Sequence, residues 1–114
     1  MTDVLPPPTA MLVRAVVRNP ALVADFDRWY DEDHLPQALS DFGAHTASRW
    51  WSYGEESVPV HYAIYEFTDA AALEAALAGA AIAALIAEFS RLWGADVERV
   101  RSRARLAQRL TTAD

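Results

Sequence analysis

The chain has 114 residues, 53% hydrophobic and 23% charged, the composition of a single globular domain rather than of a disordered segment. Acids outnumber bases by 16 to 10, and the formal charge of -6 argues against nucleic acid as a partner, because neutralising phosphates takes a surplus of cationic side chains. With no cysteine, disulfides, thiolate metal centres and cysteine nucleophiles are excluded.

Residues 1–9 read as an extended leader built on Pro6-Pro7-Pro8; its acid at Asp3 and lack of basic residues do not suit a secretory signal, so the expected setting is cytoplasmic. Met11 to Arg18 is rich in β-branched residues and predicts a first strand with Val13, Ala15 and Val17 on its apolar face. Asn19-Pro20 then reads as a cap followed by a proline at the first helical position. In the helix it opens, Leu22, Val23, Phe26, Trp29 and Tyr30 form a buried stripe while Asp25, Asp27 and Arg28 face water. Pro36 is expected to stop it, because the residue before a proline is pushed out of the α region.

Beyond Gly43, Ala44 to Tyr53 predicts a second strand, with His45, Arg49, Trp51 and Tyr53 on one parity and Thr46, Ser48, Trp50 and Ser52 on the other. A turn over Gly54-Glu55-Glu56-Ser57 leads to a third strand, Val58 to Phe67, paired with the second as a hairpin. Thr68-Asp69 caps a second helix with a stripe including Leu73, Leu77, Ile82, Leu85 and Phe89, interrupted at Gly79 and ended by Gly94. Its longest apolar run, Ala75 to Ala87, is too short to span a bilayer, so no membrane segment is expected. Asp96 to Leu110 alternates strictly and predicts a fourth strand carrying Arg99, Arg101, Arg103 and Arg105 on one face.

The domain therefore runs over residues 10–110, with 111–114 as a tail, and its order βαββαβ is the α+β, ferredoxin-like arrangement with a four-stranded antiparallel sheet. Both helices cover one face. The other presents Leu12, Arg14, Val16 and Arg18 from the first strand and, on the same logic, Trp51 and Tyr53 from the second, which predicts a homodimer packed sheet to sheet.

The segment Phe26-Asp27-Arg28-Trp29-Tyr30-Asp31-Glu32-Asp33-His34-Leu35-Pro36 resembles the Trp-Tyr-x-x-x-His-x-Pro signature of EthD-like proteins, which belong to the dimeric α+β barrel superfamily. The resemblance implies that fold and a dimer. Its relatives include cofactor-independent lactone isomerases, polyketide cyclases, quinol-forming monooxygenases and haem-handling enzymes, beside many members without known activity.

Asp31 lies three residues before His34, the spacing that puts both on one side of an α-helix, and the pair is the first candidate for acid–base chemistry near neutrality. The competing reading has His34 cap the helix carbonyls. His45 and His61 fall on neighbouring strands; with His34 and a carboxylate they lack short metal-ligand spacing, so neither a metal nor haem is expected. Arg14, Arg18, Arg49 and the Arg99–Arg105 ladder suit an anionic oxygen, or form salt bridges and guard an edge strand. Trp29, Trp50, Trp51, Tyr30, Tyr53, Tyr62 and Tyr65 suit an aromatic wall for a small apolar or aromatic molecule, though core packing accounts for most of them, and Trp50 and Trp51, being adjacent on a strand, point to opposite faces.

No phosphate loop, Gly-x-Gly-x-x-Gly, Gly-x-Ser-x-Gly or His-Glu-x-x-His occurs, and no cofactor is expected. The site expected is His34 with Asp31 for chemistry, and Tyr30, Arg14, His45, Arg49, Trp51 and Tyr62 around the ligand. Three readings remain: a cofactor-independent isomerase, cyclase or monooxygenase acting on an aromatic, lactone or polyketide-like substrate; a non-catalytic binding or accessory protein; and a structural dimer whose cleft is filled by its own side chains.

Overall fold

The computed structural model describes residues 8–54 and 58–112. Most of the proline leader, the hairpin turn after Gly54 and the last two residues lie outside them.

Strand β1 (Thr9–Val17) starts two residues earlier than Met11, so Thr9 belongs to the domain and not to the leader. Thr9, Met11, Val13, Ala15 and Val17 are all buried, the period-two pattern of a strand with one face on a core. It pairs antiparallel on one side with β3 (Val60–Phe67) and on the other with β4 (Val97–Arg105). β2 (Thr46–Trp51) pairs with β3, giving the order β2-β3-β1-β4 of a ferredoxin-like sheet. β4 ends at Arg105 rather than continuing to Leu110. Its partner begins at Thr9, opposite Arg105, and the last backbone bond beyond the strand runs from Leu106 N–H to Pro8 O at 2.9 Å.

The first helical segment departs from expectation at Pro36. Asn19 caps a 3-10 turn (Pro20–Leu22) by accepting the Ala21 N–H; α1 (Val23–Trp29), a π turn (Tyr30–His34) and α2 (Leu35–Phe42) then follow without a break. In the π turn the Leu35 N–H bonds five residues back to Tyr30 O, which leaves Pro36 in the first turn of α2, where a missing N–H is tolerated. The proline starts a helix here instead of ending one. Gly43, at φ 73°, closes α2 in the left-handed conformation that glycine adopts freely.

Asp69 caps α3 (Ala70–Leu77) by accepting the Ala72 N–H, and α4 (Ala80–Trp93) leaves it at 60° across Gly79. No single helix among the described residues is long and apolar enough to cross a membrane. Phe26, Tyr30, Tyr65, Phe67, Leu73 and Phe89 fill the layer between helices and sheet.

Register fixes the faces. Trp51 sits opposite His61, and His61 opposite the buried Ala15, so Trp51 and Arg49 lie on the helix side of the sheet, not on the open face with Arg14. Trp50 takes the open face instead and is 59% exposed. The Arg99–Arg105 ladder shares the side of Val17, Ala15, Val13 and Met11, and so also faces the helix layer. The open face carries Leu12, Val16, Ile64, Val100 and Trp50, with Arg14 and Tyr62 opposite one another.

Candidate functional site

The π turn positions the first candidate side chain. It keeps Tyr30 and His34 together on the buried side, and His34, only 8% exposed, stacks on Trp29 at 4.4 Å between ring centroids, with the edge of Tyr30 at 4.8 Å. Its Nδ1 is buried and has no partner among the described residues. Burial, and secondarily the Arg99 charge, lower its pKa to about 4. His34 is therefore a neutral imidazole at neutral pH.

Asp31 makes no hydrogen bond to it. The widened turn takes residues three apart off a shared face, and Asp31 is exposed, its carboxylate 3.8 Å from an Arg49 guanidinium nitrogen. Neither does His34 cap helix carbonyls, since the helix runs on through it.

Arg49 organises a second group on the helix side of β2. Its Nε donates to His61 Nε2 at 3.0 Å, an Nη donates to Asp27 Oδ1, and the guanidinium lies 5.4 Å from the Tyr30 ring centroid. Trp51 Nε1 donates to the same Asp27 oxygen at 2.7 Å. The Trp51 hydrogen bond is the largest influence on Asp27 and outweighs partial burial, so that with the help of Arg49 the carboxyl pKa is lowered. Asp27, expected in water, is half-exposed and anchors the Arg49 guanidinium and the Trp51 indole at the rim of this group. His61 is fully buried, and because its Nε2 accepts from Arg49 the ring proton belongs on Nδ1, which has no partner among the described residues. Burial first, then Arg49, depress its pKa to about 3. Tyr30 and Tyr65 share a hydrogen bond; burial pushes Tyr30 up to about 12 and Tyr65 further in the same direction. Phe26 joins the two groups, within 6.2 Å of Trp29 and 5.5 Å of His61, with Trp93 against its other side at 5.2 Å.

His34 and Tyr30 line a cavity of ≈20 Å³ between the sheet and α4, with Met11, Leu85, Arg99 and Arg101 among its other walls. That is room for about one water molecule. Toward the β4 edge a wider vestibule of ≈290 Å³ lies against Met11, Leu77, Arg101, Ser102 and Arg103, and shares Met11 and Arg101 with the cavity. On the far side, His34 and Leu85 also border an outer groove of ≈480 Å³ flanked by Glu32, Asp33 and Glu88. His34 stands in the wall between inner cavity and outer groove.

The structure thus gathers His34, Tyr30, Arg49 and Trp51 beneath the helices, with Asp31 at their rim. Arg14 and Tyr62 are separated from them by the sheet, and His45 is exposed beside the end of β2, its N–H on Glu66 O at 2.9 Å. These three do not join the cluster. Asp27, His61, Tyr65, Trp93 and Arg99 complete it instead. The signal for His61 was its place in the alternation His61, Ala63, Tyr65, Phe67, every member of which is buried. Among the described residues no group of three or more His, Asp or Glu is arranged to hold a metal ion.

No protein-family model matches the sequence, and no curated protein does. Solved structures do. An ethyl tert-butyl ether D (EthD) family protein from Bacillus halodurans superposes with a TM-score of 0.63 at 17% identity, over 82% of this chain and 96% of its own. SnoaB, a cofactor-independent oxygenase from Streptomyces nogalater, gives 0.67 at 15% identity over 92% and 98%. A dimeric ferredoxin-like protein from an uncultured marine organism gives 0.58 at 17% over 91% and 99%. The chain has the EthD-like, ferredoxin-like α+β fold.

Proposed function

We propose that the chain works as a homodimer, two open sheet faces packed together, and that each copy binds a small, flat, apolar molecule in the space between the sheet and α4. The observation that carries the binding reading is a set of buried polar atoms, His34 Nδ1, His61 Nδ1 and Trp93 Nε1, none with a partner among the described residues. Leaving such a group unsatisfied costs about 1–3 kcal/mol, against a typical folding margin of about 5–15 kcal/mol. A core selected for packing alone would replace them with apolar groups. Of the three, His34 lines the cavity, where its Nδ1 is what a ligand with a hydroxyl or carbonyl would use; His61 and Trp93 lie behind it, around the Phe26 ring.

The cavity as it stands holds about one water. Binding therefore opens it. Arg99 lines the cavity from an edge strand, its guanidinium 4.1 Å from the Phe89 ring centroid, and is the side chain whose shift along that ring would widen the space.

The test is a titration with 2-naphthol followed by the fluorescence of Trp29 and Trp93. The expected result is a saturable change that weakens about tenfold in His34→Leu, the loss of one hydrogen bond worth about 1.4 kcal/mol. No saturable change in either protein would leave a structural dimer with a self-filled cleft as the better reading.

A second reading is an enzyme that moves a proton on an aromatic, lactone or polyketide-like substrate without a cofactor. It is favoured by the neutral imidazole of His34 and the Arg99 cation lining one cavity, a base beside a group that stabilises an enolate or phenolate. The fold likeness to SnoaB, a cofactor-independent oxygenase, agrees with it. With His34 held at about 4, the rate of such an enzyme would stay flat through neutrality and fall only in acid.

A further inference from the structure

We propose that the ligand is an amphipathic carboxylate, its acid group held by Arg101 and Arg99 at the β4 edge and its apolar body reaching inward toward His34. This rests on the small-molecule reading above and adds the class of ligand and its direction of entry.

The first argument is charge placement. Carboxylates outnumber cations 16 to 10 in the chain, yet neither the His34 cavity nor the vestibule has an Asp or Glu in its wall, and between them they are bordered by Arg99, Arg101 and Arg103. The second is how those arginines are occupied. Arg103 is neutralised by Glu74 through hydrogen bonds of 2.7 and 3.2 Å, and Arg99 lies over Phe89. Arg101 borders both spaces and has no ion-pair partner among the described residues.

Arg99 and Arg101 are two positions apart on one face of an edge strand, so their like charges meet in a shared space without a counterion. Burial and the Arg101 charge lower the pKa of Arg99, the direction expected of a cation that lacks an anion. A carboxylate between them relieves that repulsion, and guanidinium forks match its planar geometry. The vestibule of ≈290 Å³ admits the ligand as far as Arg101, and the ≈20 Å³ cavity beyond, bordered by Arg99 and His34, opens to take the apolar body. A monoanion fits better than a phosphate because Arg103 is already neutralised by Glu74, leaving two guanidinium groups, and the chain as a whole is negative.

The experiment compares 2-naphthoate with its methyl ester by tryptophan fluorescence, in the unaltered protein, Arg101→Gln and Arg105→Gln. Arg101 and Arg105 are both exposed and neither substitution empties the core; Arg105 belongs to the ladder but borders neither space. The expected result is about tenfold tighter binding of the acid than the ester, a gap that closes in Arg101→Gln and persists in Arg105→Gln. Equal binding of acid and ester, or a gap that survives Arg101→Gln, overturns the carboxylate assignment while the site stands. If naphthoate, ester and 2-naphthol all fail to bind, both this inference and the small-molecule reading fall.

Discussion

Acidification from pH 7 to pH 5 is expected to destabilise the fold by as much as about 4 kcal/mol, and two buried imidazoles are the reason. His34 and His61 have an ordinary value of 6.5 in the unfolded chain but are held at about 4 and about 3 in the folded one, chiefly by burial. Their folded values are depressed, so between those values and 6.5 the unfolded chain binds more protons, and stability rises with pH. Above this window both states carry neutral rings and nothing is lost. By pH 5 each unfolded imidazole has gained about 2 kcal/mol from protonation that its folded counterpart forgoes. The sum is an upper figure, because the two rings feel each other.

Geometry supports the same sign. To take a proton on Nε2, His61 must give up the 3.0 Å bond from Arg49 and become a second cation beside the guanidinium. Urea unfolding followed by circular dichroism at pH 7, 6 and 5, at one fixed protein concentration because a dimer is expected, measures the slope. His61→Gln and His34→Gln should each remove about half of it. A stability equal at pH 7 and pH 5, or a slope untouched in both variants, would refute the assignment of these rings as buried and neutral.

Trp50→Glu places a charge on the open sheet face, where Trp50 is exposed and touches no helix; sedimentation should show a monomer with the circular dichroism of the unaltered fold, and a persistent dimer would place the interface elsewhere. Asp27→Ala removes the acceptor shared by Arg49 and Trp51, and urea unfolding should register a loss of about 2 kcal/mol. The loss stays moderate because Asp31, 3.8 Å from Arg49, remains as a counterion. Asp25→Ala, exposed on the same helix, should change stability by less than about 0.5 kcal/mol, and equal effects at the two positions would show that the Asp27 network does not bear on the fold.

The elements were legible where their causes are local. Asn19 and Asp69 cap the turns they were expected to cap, and Gly79 bends the second helical run; Gly43, expected in a linker, instead closes the helix that continues past Pro36. Facing was legible only within a strand. Carrying the parity of β1 across the Gly43 loop placed Trp51 on the open face, whereas hydrogen-bond register through β3 places it under the helices. Asp27 and Arg49 were misjudged for a related reason: on its own helix Asp27 looks like a solvated acid, and its partners come from a strand 22 residues away.

The motif that carried the family resemblance can now be restated as a folding device. In Trp29-Tyr30-x-x-x-His34-x-Pro36 the π turn begins at the tyrosine and ends at the histidine, the tryptophan supplies the ring against which the imidazole stacks, and the proline opens the helix beyond. A proline six residues after the tyrosine would have broken an ordinary α-helix, and read locally it signals a helix end. Placed just beyond a turn closed by a five-residue bond, it sits where α2 starts, and the chain continues to Phe42. Continuity is what buries His34. Had the helix ended at Pro36, His34 would sit at a frayed, solvated terminus and titrate as a surface histidine; in mid-helix it is pressed between Trp29 and Tyr30 and kept neutral in the cavity wall. The neutral, buried state of His34 therefore depends on a backbone irregularity more than on the acidic Asp31 beside it in sequence.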